Sequence, residues 1–407
     1  MRVVMLSKMV VVGAYQRKLE EIAAHPNVDL TVIVPPYWQE EVRRLELERS
    51  HTAGYRLEVL PVAFNGHFHV YFYRGLGRRL KELRPDVLHV DEEAYNLATW
   101  LAFRAGRPVG ARCLFVTWQN IARTYPPPFR WFEQAVYRQA AYALCANAES
   151  TVVLRSKGYT GPLAVFPQMG VDPAVFCPDP ANLPPSPSLP GKGVQLPPLL
   201  TGEGPGPWSG EAGERFAIGF FGRLVEQKGL LVLLDALAGL DAPWHLYLVG
   251  DGPLRPALEA RVAALGLTGR VTFDPGVPSA QMPTYLRRMD AVVLPSLTRP
   301  NWKEQFGRIL IEAMSCGVPV VGSDSGEIPH VIGAAGLIAR EGDAADWRDK
   351  LARLAADPAL RAALGRAGRE RVLAHYTQAA VAAQTVLVYR AVAASSEPDA
   401  HLEQLEN

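Results

Sequence analysis

Residues 291–332 read AVVLPSLTRPNWKEQFGRILIEAMSCGVPVVGSDSGEIPHVI. The apolar run AVVLPS is a strand, TRPNWKEQ its exit loop, and FGRILIEAMSCG a helix that Gly317 closes at its C-terminal end. VPVVGS then begins a second strand, which makes the stretch a βαβ unit whose two strands run parallel. Within it Glu304 precedes the helix and Glu312 lies inside it, with the Phe306-Gly307 step between them.

The same alternation extends in both directions. VVML, LTVIV, DVLHV, CLFVT, ALCAN and LAVFPQ recur in the first half of the chain, and FAIGFFG, HLYLVG and RVTFD precede the unit above. Short apolar runs between helical patterns predict an α/β protein with two doubly wound parallel sheets. At 407 residues the chain exceeds one ordinary core. Four segments are expected: a Rossmann-like domain over 1–170, a linker over 171–213, a second Rossmann-like domain over 214–377, and a final amphipathic helix over 378–395. From Pro178 to Gly213 the sequence is rich in Pro, Gly and Ser, so a disordered insertion is predicted there. Fraying is expected after Ser396.

Composition narrows the class. Hydrophobic and charged fractions of 48% and 20% are those of a soluble globular enzyme. Residues 1–170 hold 21 Lys and Arg against 15 Asp and Glu, the remainder 21 against 26. Four scattered cysteines, Cys113, Cys145, Cys177 and Cys316, suit buried thiols in a reducing cytoplasm better than a structural zinc. Lys8 interrupts the opening apolar run, so a first strand is read there instead of a signal peptide. No apolar stretch is long enough to predict a transmembrane segment, and nothing in the pattern calls for nucleic acid.

Two motifs carry chemistry. In FFGRLVEQKG a strand ends at Gly222 and a helix begins, with Arg223 and Lys228 around its first turn. Cations there oppose the helix dipole unless an anion sits among them, and a diphosphate would gain ~1.5–3 kcal/mol from each charge-assisted contact. The second motif is the Glu304–Glu312 pair. Eight residues at ~1.5 Å each span ~12 Å if helical, roughly the distance from a nucleotide's ribose to a hexose beyond its diphosphate. Glu304 would accept hydrogen bonds from sugar hydroxyls and Glu312 from the ribose. Arg308 follows the Gly307 step. Gly13 after the first strand, the turns VGDGP and SDSGEIP, and Val277 at the end of VTFDPGV are further candidates for the rim of a crevice. No Asp-x-Asp pair and no GxxxxGK[ST] loop occurs, so metal-independent chemistry without a cofactor is expected.

GRLVEQKG, VGDGP and EQFGRILIEAMSCGVPVVGSDSGEIP resemble the retaining family 4 glycosyltransferases of the GT-B fold. That resemblance implies two Rossmann-like domains facing a cleft, and a last helix that returns to the first. It implies that Arg223 and Lys228 bind the diphosphate of a UDP- or GDP-sugar, Glu304 its hexose and Glu312 its ribose, while Phe306 and Gly307 present backbone amides. Many members carry a first-domain histidine beside the reacting sugar. Here the corresponding stretch, TWQNIARTYPPP, offers Gln119 and Asn120. These two, with Glu92 and Glu93 of HVDEEAYN, are the acceptor-side candidates; His67, His69 and His89 are expected to be structural. The implied reaction is hexose transfer to an acceptor hydroxyl with retained configuration. A nucleotide-sugar epimerase and a non-catalytic sugar-nucleotide-binding module remain open readings of the same residues. The acceptor is unidentified. A lipid-linked acceptor would bring a cytoplasmic enzyme to the membrane surface, and the basic run Arg74–Arg84 is the expected contact, with a solvated helix face as its plainer explanation.

Overall fold

The computed structural model describes residues 1–40, 44–178, 215–277 and 281–394. Seven strands form the first sheet: β1 (Arg2–Leu6), β2 (Asp29–Val34), β3 (Arg56–Val59), β4 (Val87–Val90), β5 (Arg112–Thr117), β6 (Tyr142–Cys145) and β7 (Leu163–Val165). Their order is β7-β6-β5-β4-β1-β2-β3, and every pair is parallel. Six more form the second: β8 (Phe216–Phe221), β9 (Trp244–Val249), β10 (Val271–Asp274), β11 (Ala291–Leu294), β12 (Val320–Ser323) and β13 (Leu337–Ala339), in the order β10-β9-β8-β11-β12-β13. Strands buried on both faces favour apolar residues at nearly every position, which is why β4, β6, β11 and β12 are buried throughout and read as near-continuous apolar runs, with His89 in β4 and Ser323 in β12 as buried polar exceptions. The edge strand β3 gave no such signal, because a half-covered edge tolerates sequences such as RLEV; β13 is apolar, Leu-Ile-Ala, but only three residues long.

Both sheets run outward from a central strand and reverse direction beside it, between β1 and β4 in one and β8 and β11 in the other. Ligands of such sheets bind where the carboxyl ends of those strands diverge. The two switch points therefore nominate two facing regions: residues 7–13 and 91–96 in the first lobe, and residues 222–229 and 295–307 in the second.

The helix Gln378–Ala394 belongs with the first lobe. Its Ala382, Val386, Val388, Tyr389 and Val392 share a core with Leu19, Ile22, Val32 and Leu144. Tyr389 Oη lies 2.7 Å from His89 Nδ1, both side chains fully buried, so His89 has a structural partner. The chain crosses between lobes twice, and the crossings touch: Val171 N–H donates to Tyr376 O at 2.9 Å and Gln378 N–H to Val171 O at 2.9 Å.

Two boundaries differ from expectation. ALCAN is strand only through Cys145, and Asn147 caps the next helix. The helix expected from Phe306 begins at Arg308, because Gly307 takes a left-handed conformation (φ +79°) that no helical residue adopts. The expected Pro/Gly-rich insertion, beyond Pro178, and the expected fraying after Ser396 lie outside the described residues.

Candidate active site

Loop Gly222–Gly229 leaves β8 and passes through the short turn Glu226–Lys228 before the helix Leu230–Ala238. It is fixed on both sides. Leu224 N–H donates to Asp251 O at 2.9 Å and Leu254 N–H to Leu224 O at 3.0 Å, so VGDGP braces this loop from β9. Leu297 N–H donates to Gln227 O at 2.8 Å from the side of β11. At Gly229, with φ +66°, an added Cβ would sit 1.9 Å from Pro295 O, so only glycine allows the two loops to meet.

That meeting sets the centre of the site. Lys228 Nζ lies 2.5 Å from Glu304 Oε2, and Ser296 Oγ donates to the same oxygen at 2.8 Å. Ser323 Oγ in turn donates to Ser296 O at 2.6 Å. Three loops, after β8, β11 and β12, thus converge on Glu304, the first two at its carboxylate and the third at its backbone. SDSGEIP contributes through its backbone: Glu327 N–H donates to Glu304 O at 3.1 Å, and an added Cβ on Gly326 would lie 2.1 Å from that carbonyl. Arg223 is exposed beside them and makes no ion pair with a described residue. The amides of Phe306 and Gly307 donate to no described acceptor, as befits residues ahead of a helix N-terminus.

Glu312 is also buried. Arg308 Nε lies 2.8 Å from its Oε1, and Arg308 reaches across the cleft to Tyr15 Oη at 3.0 Å. Burial raises the Glu312 pKa above the usual carboxylate range, opposed by Arg308. The two glutamates are therefore not chance surface acids; each is withdrawn from water and paired with a cation. Phe306 turns its ring into the interlobe core against Trp118 and Tyr376, and Val277 packs at the edge of the second core.

In the first lobe the candidates separate. Asn120 Nδ2 donates to Glu304 O at 3.3 Å and so belongs to this site. Gln119 Nε2 donates to Tyr125 Oη at 3.2 Å. Glu92 is engaged elsewhere: a fully buried carboxylate held by Lys8 at 2.5 Å, by Tyr71 Oη and by Asn96 Nδ2 at 3.2 Å. An acid so enclosed has no oxygen left for an acceptor, a consequence of burial that spacing in HVDEEAYN could not show. Gly13 N–H donates to Glu48 Oε2 at 2.6 Å, an anion already at the amide expected to approach phosphate or sugar. Arg79, one of five cations in the basic run, pairs with Glu58 at 2.5 Å and Glu82 at 2.6 Å. Residues that sequence reading missed include Ser296, Asn147 and Glu149, while Glu327 lies in the SDSGEIP turn that it marked as a whole. Ser296 and Asn147 follow strand ends, the one signal that marks them.

Residues 208–371 match the model of the family described as glycosyl transferases group 1. The second lobe is a group 1 glycosyl transferase domain. Curated relatives include a 2-deoxystreptamine glucosyltransferase of Streptomyces kanamyceticus, 35% identical over 158 residues that make up 38% of this chain and 40% of the relative. A GDP-mannose-dependent alpha-(1-6)-phosphatidylinositol monomannoside mannosyltransferase of Mycolicibacterium smegmatis is 33% identical over 40% of this chain and 44% of its own length. The chain thus spans about two fifths of the curated relatives it matches. Solved structures cover nearly all of it: sucrose-phosphate synthase from Thermosynechococcus elongatus (TM-score 0.66, 21% identity, 97% of this chain and 99% of that one) and Anabaena HepE in complex with UDP (TM-score 0.68, 16% identity, 96% and 100%). The whole molecule has the GT-B fold, two Rossmann-like lobes facing a cleft, with the group 1 glycosyl transferase domain as the lobe that carries Lys228 and Glu304.

Proposed function

We propose that the protein transfers a hexose from a nucleoside diphosphate sugar to an acceptor hydroxyl with retained anomeric configuration, without a metal ion. The observation that carries this reading is the Lys228–Glu304–Ser296 cluster at the switch point of the second sheet. Lys228 and Glu304 hold each other in a neutral pair, and a donor offers each a better partner: diphosphate oxygens for the ammonium, sugar hydroxyls for the carboxylate. Arg223 adds a second cation, and the amides of Phe306 and Gly307 present donors beside it. Glu312 would accept from the ribose with the oxygen that Arg308 leaves open. The UDP bound to HepE and the GDP-mannose dependence of the mycolicibacterial relative support a nucleotide sugar as donor.

Transfer without a protein nucleophile proceeds by attack on the face that the diphosphate leaves. The departing phosphate oxygen takes the acceptor proton as the C1–O bond to it breaks and the bond to the acceptor oxygen forms. Lys228 and Arg223 stabilise the charge that develops on the diphosphate, strongest in the transition state. Closure of the cleft excludes the water that would otherwise intercept the sugar.

The test is turnover with a panel of UDP- and GDP-sugars, followed by Lys228→Ala, Arg223→Ala and Glu304→Ala. A charge-assisted contact of about 1.5–3 kcal/mol corresponds to a loss of roughly 10- to 100-fold in kcat/KM for each. Undiminished turnover in all three variants would sink the reading. Product analysis separates transfer, which consumes an acceptor, from epimerisation, which does not.

A further inference from the structure

Six consecutive residues of the second lobe, Asn301–Phe306, carry no helix or strand of the sheet, yet the first lobe holds nearly every one of them. Arg123 donates to Asn301 O. Glu149 pairs with Lys303 at 2.7 Å, Asn120 Nδ2 donates to Glu304 O at 3.3 Å, and Asn147 Nδ2 donates to Gln305 O at 3.2 Å. Gln305 Nε2 returns a bond to Trp118 O at 2.7 Å, and the rings of Trp118 and Phe306 meet edge-on. Three of these contacts go to the loop's own carbonyl oxygens, so they determine the path of the chain and with it the direction of the Glu304 side chain.

The helix Ala148–Ser156 supplies the firmest part of the grip. Asn147 is its N-cap: Oδ1 accepts from Ser150 N–H at 2.8 Å and from Ser150 Oγ at 2.6 Å, which leaves Nδ2 to point across the cleft. The next amide, Ala148 N–H, donates to Glu327 Oε2 at 3.3 Å, so a carboxylate of one lobe sits at the positive end of a helix in the other. Glu327 N–H binds Glu304 O as well, and the grip closes on the same carbonyl from both sides.

We infer that Asn147 and Glu327 are positioning residues, and that the loop bearing Glu304 adopts its donor-binding shape only while the N-terminus of the helix Ala148–Ser156 clasps it. Lobe closure and completion of the donor site are then one event, and neither residue touches donor. The inference rests on the reading of Lys228 and Glu304 as the donor site.

Asn147→Ser tests it, because serine caps the helix as well as asparagine does but cannot also reach Gln305 O. Hydrogen exchange on the full unliganded chain should show peptides over 301–307 exchanging several-fold faster, with those over β6 and β8 unchanged. Titration with UDP and with GDP should show the nucleotide that binds the parent protein binding roughly 3- to 10-fold more weakly, the range of one lost hydrogen bond. Glu327→Gln, which keeps an acceptor but loses the charge, should fall between. Parent-like exchange at 301–307 together with a nucleotide Kd within about twofold of the parent, in both variants, overturns the clasp. Lys228→Ala separates the two ideas: if it leaves nucleotide binding intact, the donor-site reading fails, while the exchange result still decides whether the loop is clasped.

Discussion

Glu93 shows how burial changes what a side chain does. Its carboxylate accepts from Trp118 N–H at 2.7 Å at the base of the loop that leads to Gln119 and Asn120. Burial pushes its pKa up to about 7, against the pull of the Trp118 and Thr117 hydrogen bonds and of Lys157, with Glu92 adding to the rise. Between the ordinary value of 4.5 and about 7 the folded state keeps a proton that the unfolded chain has released. Stability therefore falls as pH rises through that window. Glu93→Gln should match the parent at pH 5 and exceed it at pH 8 by on the order of 2–3 kcal/mol, measured by urea unfolding at both values. Equal midpoints at pH 8 would show that the carboxyl ionises at no cost. Nothing in HVDEEAYN distinguishes Glu93 from Glu92; only their surroundings do.

Among the elements, the loops after β8, β11 and β12 share backbone contacts so close that a methyl group would separate them. Gly326→Ala places a Cβ against Glu304 O on a residue whose φ is +57°. The strained backbone and the displaced loop should together destabilise the second lobe by about 1–3 kcal/mol. Nucleotide affinity should fall with it, because the Glu304 loop moves. Urea unfolding and UDP or GDP titration check the two effects, and a variant with parent-like values for both would contradict the geometry. The βαβ pattern was legible because it obeys a local rule, apolar runs for buried strands, whereas the left-handed Gly307 was not, because the sequence pattern lets the helix start at Phe306. The edge strand β3 was not legible either, since partial burial relaxes the demand for apolar side chains, and β13 was not because a three-residue run is too short to stand out.

For the molecule as a whole, the return of the last helix to the first lobe ties the chain's end to its beginning. Among the described residues, Tyr389 Oη gives His89 its one hydrogen bond, since Nε2 has no partner there. Tyr389→Phe leaves a buried imidazole with both nitrogens unmatched and should cost the first lobe about 1–3 kcal/mol, read from its urea unfolding. Burial also holds the His89 pKa down to about 3, the ordinary value being 6.5. Below pH 6.5 the unfolded chain therefore gains a proton that the folded lobe refuses, and stability falls as pH falls, the opposite sign to Glu93. Among the described residues no helix is long and apolar enough to cross a membrane.

Periodicity and residue type were enough to predict two parallel α/β lobes, because that feature depends on neighbours within a few residues. Which cation an acid meets, and which loop is held from across the cleft, depend on groups far apart in the chain, 187 positions for Gln305 and Trp118 and 293 for Arg308 and Tyr15. Glu92 and Glu304 look alike in one dimension. Folding walls one in with Lys8 and Tyr71 and leaves the other between two lobes, since desolvation and pairing are set by whatever the packed chain brings alongside.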